Sequence, residues 1–122
     1  MILDACVLIA ALSPEDAHHD VAHTLLATAE PLATPPLTMT EVIVGPARTG
    51  QLGPVQFLLT GLGIELAPGL DPAALATLRA DTGMPLPDCV VLDAARGSGQ
   101  MLATFDERLA RHARALGVTV VP

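Results

Sequence analysis

The chain has 122 residues, of which 51% are hydrophobic and 16% charged, and this balance excludes intrinsic disorder. Its net charge is −7 and all six basic residues are arginine, so the protein cannot rely on whole-surface attraction to a nucleic acid. No apolar run reaches the ~18 residues that a membrane span needs. The length predicts a single domain over residues 1–122.

The first half of the chain opens with a predicted strand at Met1–Ala5. The Met1–Ile9 stretch lacks a basic leader and contains Asp4, so it is a poor signal peptide and we expect a cytoplasmic protein. Ser13, followed by a proline and two acids, predicts a helix start. The next predicted elements are a helix from Ser13 to about Thr28, a strand at Leu32–Thr34, a helix from Thr38 to Gly50 and a helix from Gly53 to Gly61.

The second half of the chain continues the alternation of strands and helices. The predicted elements are a strand at Ile64–Leu66, a helix from Asp71 to Gly83, a helix from Pro87 to about Arg96, a strand at Gln100–Phe105, a helix from Asp106 to Gly117 and a strand at Val118–Val121. Such alternation predicts βαβ units with right-handed crossovers. We therefore expect a three-layer α/β/α sandwich with a mostly parallel central sheet, whose ligands bind beyond the carboxyl ends of the strands.

Two acidic residues end predicted strands at that edge. Asp4 interrupts an apolar run, where a buried carboxylate without a partner is costly, and Asp106 follows the strand that ends at Phe105. Each also has a structural explanation, because Asp4 fits a cap on the next turn and Asp106 fits the N-cap of the last helix. Their shared edge favours a functional site.

Two further acids, Glu41 and Asp88, lie near predicted helix starts. Glu41 has the spacing of a capping box with Thr38, and Asp88 is favoured by the dipole of its helix. Carboxylates that converge on one edge repel each other unless a cation lies among them. Oxygen ligands without matching His or Cys spacing suit Mg²⁺ or Mn²⁺.

Other candidate residues carry weaker signals. His18, His19 and His23 share one predicted helix, but a metal site there lacks a third ligand, so we favour a solvated helix face. Asp93 lies about 140° around its helix from Asp88 and is left outside the site. The two cysteines, Cys6 and Cys89, form no disulfide framework.

Four short segments carry a resemblance over nearly the whole chain: Leu3–Ile9, Thr38–Val42, Leu86–Val91 and Leu102–Asp106. In their order and spacing they resemble the PIN-domain ribonucleases, and within them the VapC-like toxins of toxin–antitoxin pairs. The resemblance implies that Asp4, Glu41, Asp88 and Asp106 bind one or two divalent ions that drive phosphodiester hydrolysis. It also implies a supporting hydroxyl at Thr104. The chain departs from the family at Cys6, where Ser or Thr is usual, and a thiol is a weaker hydrogen-bond partner.

The resemblance predicts an Mg²⁺- or Mn²⁺-dependent endoribonuclease that acts on RNA and is blocked by a cognate antitoxin. Candidates for contacts with the RNA backbone are Arg48, Arg108 and Arg111, with Arg114 nearby on the last helix. The apolar excess predicts a homodimer. With two Phe, no Tyr and no Trp, stacking platforms for unpaired bases are nearly absent.

Two other hypotheses remain open. A PIN-like fold that has lost its activity would serve as a protein-interaction module, although the four acids argue against this. A receiver-like phosphotransfer domain also uses an acidic Mg²⁺ site, but it needs a phosphoacceptor Asp in the middle of the chain and a late Lys. This chain has no Lys, and no Asp lies between Asp20 and Asp71.

Overall fold

A computed structural model describes all 122 residues of the chain as five short strands and seven helices. The strands are β1 (Ile2–Leu3), β2 (Leu32–Thr34), β3 (Ile64–Leu66), β4 (Leu102–Ala103) and β5 (Val120–Val121). The helices are α1 (Ala5–Leu12), α2 (His19–Leu26), α3 (Pro36–Arg48), α4 (Leu52–Gly61), α5 (Pro72–Thr82), α6 (Leu86–Ser98) and α7 (Glu107–Ala115). None of these helices is long and apolar enough to span a membrane.

The strands form one sheet in the order β3-β2-β1-β4-β5, and every neighbouring pair is parallel. Ile2 pairs with Ala33 on one side and with Leu102 on the other. The chain therefore places β2 and β3 on one side of β1 and then returns to place β4 and β5 on the other. This switch in strand order opens a crevice between the carboxyl ends of β1 and β4.

Each face of the sheet packs against its own hydrophobic core. Ile2 and Leu102 belong to the core that includes buried residues of α5, α6 and α7. Leu3 and Ala103 point into the opposite core, with α1, α2, α3 and α4. Because successive side chains of a strand point to opposite faces, even these two-residue strands contribute to both cores. The predicted three-layer α/β/α arrangement is confirmed.

The largest error of the sequence prediction lies between residues 5 and 18. Helix α1 was not expected, and Ser13, predicted to start a helix, instead ends α1, where its N–H donates to the Ala10 carbonyl at 3.2 Å. The Asp16 carboxylate accepts from the His18 N–H at 2.8 Å and closes a local turn. Helix α2 consequently begins only at His19, because side-chain bonds of this kind compete with helix formation.

The predicted solvated face of His18, His19 and His23 is present only in part, because His18 and His23 are exposed while His19 is half-buried, and two of the rings bond to α1. The His19 ring bonds through Nδ1 to the Ala10 carbonyl at 2.9 Å, and the His23 ring bonds through Nε2 to the Ala11 carbonyl at 3.0 Å. Both carbonyls belong to the last turns of α1, whose C-terminal carbonyls have no continuing helix to bond. The two rings therefore tie α2 to the end of α1.

The predicted start of α3 is also wrong. Thr38 and Glu41 do not form a capping box, because the helix begins two residues earlier, at Pro36, with Pro35 in the N-cap position. Proline is well suited to the first helical position, since its φ angle is already helical and its missing N–H needs no partner. Thr38 is instead buried in the first turn, and its hydroxyl has no hydrogen-bond partner.

Candidate active site

Asp4 lies at the switch in strand order, immediately after β1 and at the N-cap of α1. It is half-buried, and its Oδ1 accepts from the Ala5 N–H at 2.8 Å. Its Oδ2 accepts from the Thr104 hydroxyl at 2.7 Å and from the Cys6 thiol at 3.2 Å. A carboxylate offers about four lone-pair positions, so three donors fix the orientation of Asp4 and leave it one free direction.

Thr104 connects the ends of β1 and β4. Its hydroxyl is buried, donates to Asp4, and accepts from the Asp106 N–H at 3.0 Å. Cys6 lies beside it, with 3.6 Å between Cys6 Sγ and Thr104 Oγ1, and Cys6 Sγ also accepts from the Phe105 N–H at 3.3 Å. Both side chains predicted to support the site are therefore in direct contact with Asp4.

Cys6 is a protonated thiol in this environment. Burial and then the negative charge of Asp4 raise the pKa of Cys6 to about 11. The thiol proton is therefore available for the hydrogen bond to Asp4 Oδ2. The Cys6 thiol occupies the position at which the resemblance predicts a Ser or Thr hydroxyl. It donates to Asp4 as that hydroxyl would, but through a weaker hydrogen bond.

Glu41 and Asp88 approach Asp4 from α3 and α6. The pKa of Glu41 is raised by partial desolvation and then by the charges of Asp4 and Asp88. The pKa of Asp88 is raised by partial desolvation and by the charges of Asp106 and Asp4, while Arg108 lowers it. The charges of Asp4 and Asp88 therefore lie near Glu41, and the charge of Asp106 lies near Asp88.

Asp106 has a structural role at the start of α7. Its Oδ1 accepts from the Arg108 N–H at 2.8 Å and from the Leu109 N–H at 3.0 Å, so it is the N-cap that the sequence allowed. The residue is exposed, and its charge acts on Asp88. Asp106 therefore lies at the rim of the acidic crevice, whereas Asp4 lies at its centre.

The donor set fits a hard divalent cation in its chemistry. Carboxylate oxygens are the ligands that Mg²⁺ and Mn²⁺ prefer, and raised pKa values mark negative charges that a cation would stabilise. No three His, Cys, Asp or Glu side chains lie close enough together to form a complete metal-binding group. The acids are therefore near one another but would have to draw closer around an ion.

The three arginines predicted to contact a polyanion occupy different positions. Arg108 Nη2 donates to the Gly83 carbonyl at 3.3 Å, beside Asp88. Arg111 is exposed on α7, and Arg48 is exposed in the last turn of α3, ~10 Å along that helix from Glu41. Arg108 is thus next to the acids, while the roles of Arg48 and Arg111 remain predictions.

A cavity of about 290 Å³ adjoins the acids on the α7 side. Its lining includes Thr104, Phe105, Asp106 and Arg114, and also His18, whose ring stacks on Phe105 with centroids 4.3 Å apart and planes 15° apart. Sequence reasoning missed this stacked pair. Its only signal was a His and a Phe in separate segments, and their contact depends on the turn before α2.

Two solved structures share this fold. One, a toxin-antitoxin complex from Klebsiella pneumoniae, aligns with a TM-score of 0.69 and 23% identity over 86% of this chain and 85% of that chain. The other is FitAcB from Neisseria gonorrhoeae, with a TM-score of 0.72 and 19% identity over 99% of this chain and 96% of that chain.

No curated protein matches the sequence. The sequence does match a family model. The model for the PIN domain matches residues 1–115, which include all four acids, Cys6 and Thr104. That range covers nearly the whole of the α/β/α sandwich described above. The chain therefore belongs to the PIN domain family.

Proposed function

We propose that this protein is a divalent-metal-dependent endoribonuclease and the toxin component of a toxin–antitoxin pair. PIN domains are generally nucleases, and this chain belongs to that family. The observation that carries the proposal is the environment of Asp4, which receives three hydrogen bonds at the switch in strand order. A half-buried carboxylate oriented in this way, with Glu41 and Asp88 nearby, suits a divalent cation that can in turn bind a phosphodiester.

Each residue of the site has a role in this proposal. Asp4, Glu41 and Asp88, with Asp106 in support, would hold one or two Mg²⁺ or Mn²⁺ ions. When bound, such an ion supplies an activated water molecule and neutralises the charge that grows on the scissile phosphate. Thr104 and Cys6 keep Asp4 Oδ2 in a fixed direction, and the Thr104 bond to the Asp106 N–H keeps the start of α7 in register with Asp4.

RNA is the proposed substrate, and arginines assist its binding. The net charge of −7 leaves no general attraction for a polyanion, so local cations must supply it. Arg108 lies beside Asp88 and supports this role. We keep Arg48 and Arg111 as proposed contacts farther along the RNA backbone, both being exposed.

Two protein partners complete the proposal, an antitoxin and a second copy of this chain. The similar structure from Klebsiella pneumoniae is described as a toxin-antitoxin complex, which supports an antitoxin for this chain. Apolar side chains are exposed on α4, among them Phe57, which is 82% exposed. A side chain of that size favours a covering partner.

The alternative is a PIN-like interaction module without activity. It is favoured by one observation, the absence of a complete group of three metal ligands. Raised pKa values at Glu41 and Asp88 oppose it, because a module that binds no cation gains nothing from facing carboxylates.

Cleavage of RNA by the purified protein tests the proposed function. We expect cleavage of a varied RNA panel in Mg²⁺ or Mn²⁺, its loss in EDTA, and its return when excess metal is restored. A single-stranded DNA panel of the same sequences tests the RNA preference. Cleavage that survives EDTA would contradict the metal dependence. No cleavage of any RNA by protein freed from co-purified inhibitor would favour the interaction module.

A further inference from the structure

The cavity beside the acids contains a stacked pair of rings. The His18 ring lies on Phe105 at 4.3 Å and nearly parallel, and the His18 side chain is still 55% exposed. One face of the imidazole is therefore covered by Phe105 while the ring remains open to solvent elsewhere. Such a supported ring is a platform for another flat group.

The platform is held in place from two sides. The Asp16 carboxylate accepts from the His18 N–H at 2.8 Å, and the same oxygen lies 3.6 Å from His18 Nδ1. On the other side, Phe105 follows Thr104 in the chain, and its N–H donates to Cys6 at 3.3 Å. The ring is therefore in fixed register with Asp4, which the Cys6 thiol also contacts.

The rest of the cavity carries charge of both signs. Glu107, Ala110 and Arg114 line it from one face of α7, and Asp106 lies at its acidic end. Arg114 supplies a cation that suits a phosphate, while the rings supply an apolar surface. Its volume of about 290 Å³ is at the lower end for small-ligand pockets, roughly 300 Å³, so it suits one small group rather than a long segment.

These features match one building block of single-stranded RNA. Unpaired bases stack on aromatic side chains, including histidine, and every base has a flat face that such a ring accepts. An adjacent phosphate takes an arginine. A peptide helix would instead need a longer apolar groove, whereas polar and charged side chains make up much of this lining.

We propose that this cavity is a subsite for one unpaired RNA base next to the scissile phosphate, with the base stacked on His18 and a neighbouring phosphate at Arg114. The inference rests on the proposed ribonuclease function and deepens it. It also corrects the expectation that stacking platforms are nearly absent, because histidine supplies the ring that Tyr and Trp do not.

The test combines a protein variant with a substrate variant. The substrates are a single-stranded oligoribonucleotide that the wild type cleaves and a series in which one abasic residue is moved along the positions flanking the cleavage point. For the wild type we expect one position at which base removal raises KM roughly 5- to 150-fold, the range for losing one stacked base. His18→Ala should raise KM for the intact substrate by a similar factor, with little change in kcat.

The decisive result is the combination of the two changes. In His18→Ala the abasic residue at that position should have no further effect, because protein and substrate have lost the same contact. His18→Phe should restore most of the binding, since phenylalanine also stacks. His112→Ala is the matched control, because His112 lies about 160° around α7 from Arg114 and should leave KM unchanged.

The possible failures can be told apart. If the wild type cleaves RNA but His18→Ala has an unchanged KM, or the two changes simply multiply, the subsite is wrong and the ribonuclease stands. If the wild type cleaves no RNA, the proposed function fails, and fluorescence anisotropy with a fluorescein-labelled oligoribonucleotide decides the subsite alone. Equal binding by the wild type and His18→Ala in that assay would overturn it.

Discussion

Thr104 couples two acids through one hydroxyl. The hydroxyl donates to Asp4 Oδ2 at 2.7 Å and accepts from the Asp106 N–H at 3.0 Å, and the residue is only 3% exposed. Loss of the hydroxyl would leave the part-buried Asp106 N–H without its acceptor and the Asp4 carboxylate with fewer donors. Such losses cost more than the average worth of a hydrogen bond.

Thr104→Val tests this coupling, because valine has nearly the same shape without the hydroxyl. We expect the free energy of unfolding to fall by about 1–3 kcal/mol. We expect RNA cleavage to fall ~10- to 100-fold, as when a residue that orients a ligand is lost. Thr104→Ser is the control that keeps the hydroxyl, and urea unfolding with a cleavage assay compares the three proteins. Cleavage by Thr104→Val at the wild-type rate would contradict the role.

Glu41 gives a prediction on pH and metal. Its pKa is raised, so the folded protein binds a proton there more readily than the unfolded chain, and metal-free stability from this group increases as the pH falls through the raised pKa. Glu41→Gln should therefore stabilise the protein in EDTA at pH 7. The free energy of unfolding should rise by only roughly 0.3 kcal/mol, because solvent screens the charge of this exposed group. Thermal unfolding measures it.

The same variant should behave differently in other conditions. Below the ordinary pKa of a carboxyl group the gain should vanish, because Glu41 is then protonated in both the folded and the unfolded wild type. In Mn²⁺ the order should reverse, because the variant has lost a proposed ligand and gains less from the ion. A stability difference between the variant and the wild type that is constant with pH and unaffected by Mn²⁺ would show that Glu41 is not part of the metal site.

At the residue scale, the sequence predicts the features that depend only on residue type and on position relative to the strands. Asp4 and Asp106 follow strands, and their positions at one edge follow from parallel topology. The Cys6 and Thr104 contacts agree with the family resemblance. The His18–Phe105 stack was beyond reach, because a pair separated by 87 positions (105 − 18) meets only through the tertiary fold.

At the element scale, helix α1 and the turn after it explain the main difference from the sequence prediction. Residues 5–12 are apolar all around, so they lack the alternation of apolar and polar faces that identifies a surface helix. A short, wholly apolar run is equally typical of a buried strand. Most other boundaries were within a few residues, because they carry local signals such as Asp71, whose carboxylate accepts from the Ala73 N–H at 3.1 Å.

The histidine tie between α1 and α2 gives a prediction for these elements. Carbonyl groups only accept hydrogen bonds, so the ring nitrogens of His19 and His23 that face Ala10 and Ala11 carry the protons. His19→Ala and His23→Ala should each lower the free energy of unfolding by about 0.5–1.5 kcal/mol, and by more at the less exposed His19. Urea unfolding followed by circular dichroism measures this, with His112→Ala as the control. Unchanged stability in both variants would show that the ties contribute nothing.

At the scale of the whole molecule, the apolar surface of α4 predicts self-association. Phe57 is 82% and Leu58 50% exposed, and an apolar cleft of about 210 Å³ lies between α1, α2 and α4. We expect a dimer at micromolar concentration that Phe57→Glu converts to a monomer, because a charge in a buried apolar contact is costly. Light scattering with size exclusion measures this.

The neighbouring residue provides the matched control for that experiment. Gln56→Glu adds the same charge one position away on α4, at another exposed residue, and should leave the dimer intact. A wild-type monomer at micromolar concentration would contradict the homodimer. A dimer that both variants leave intact would place the interface elsewhere on the molecule.

The central claim is that the acidic crevice around Asp4 is the ribonuclease site. The most direct test is the single-turnover rate of RNA cleavage in Mn²⁺ for the wild type, Asp4→Asn and Asp93→Asn, purified in parallel. Asp93 is the matched control, because it lies on the same helix as Asp88 but about 140° around it. We predict that Asp4→Asn loses more than about 100-fold, beyond the usual effect of losing a supporting residue, while Asp93→Asn keeps the wild-type rate. Equal rates for Asp4→Asn and the wild type would contradict the claim.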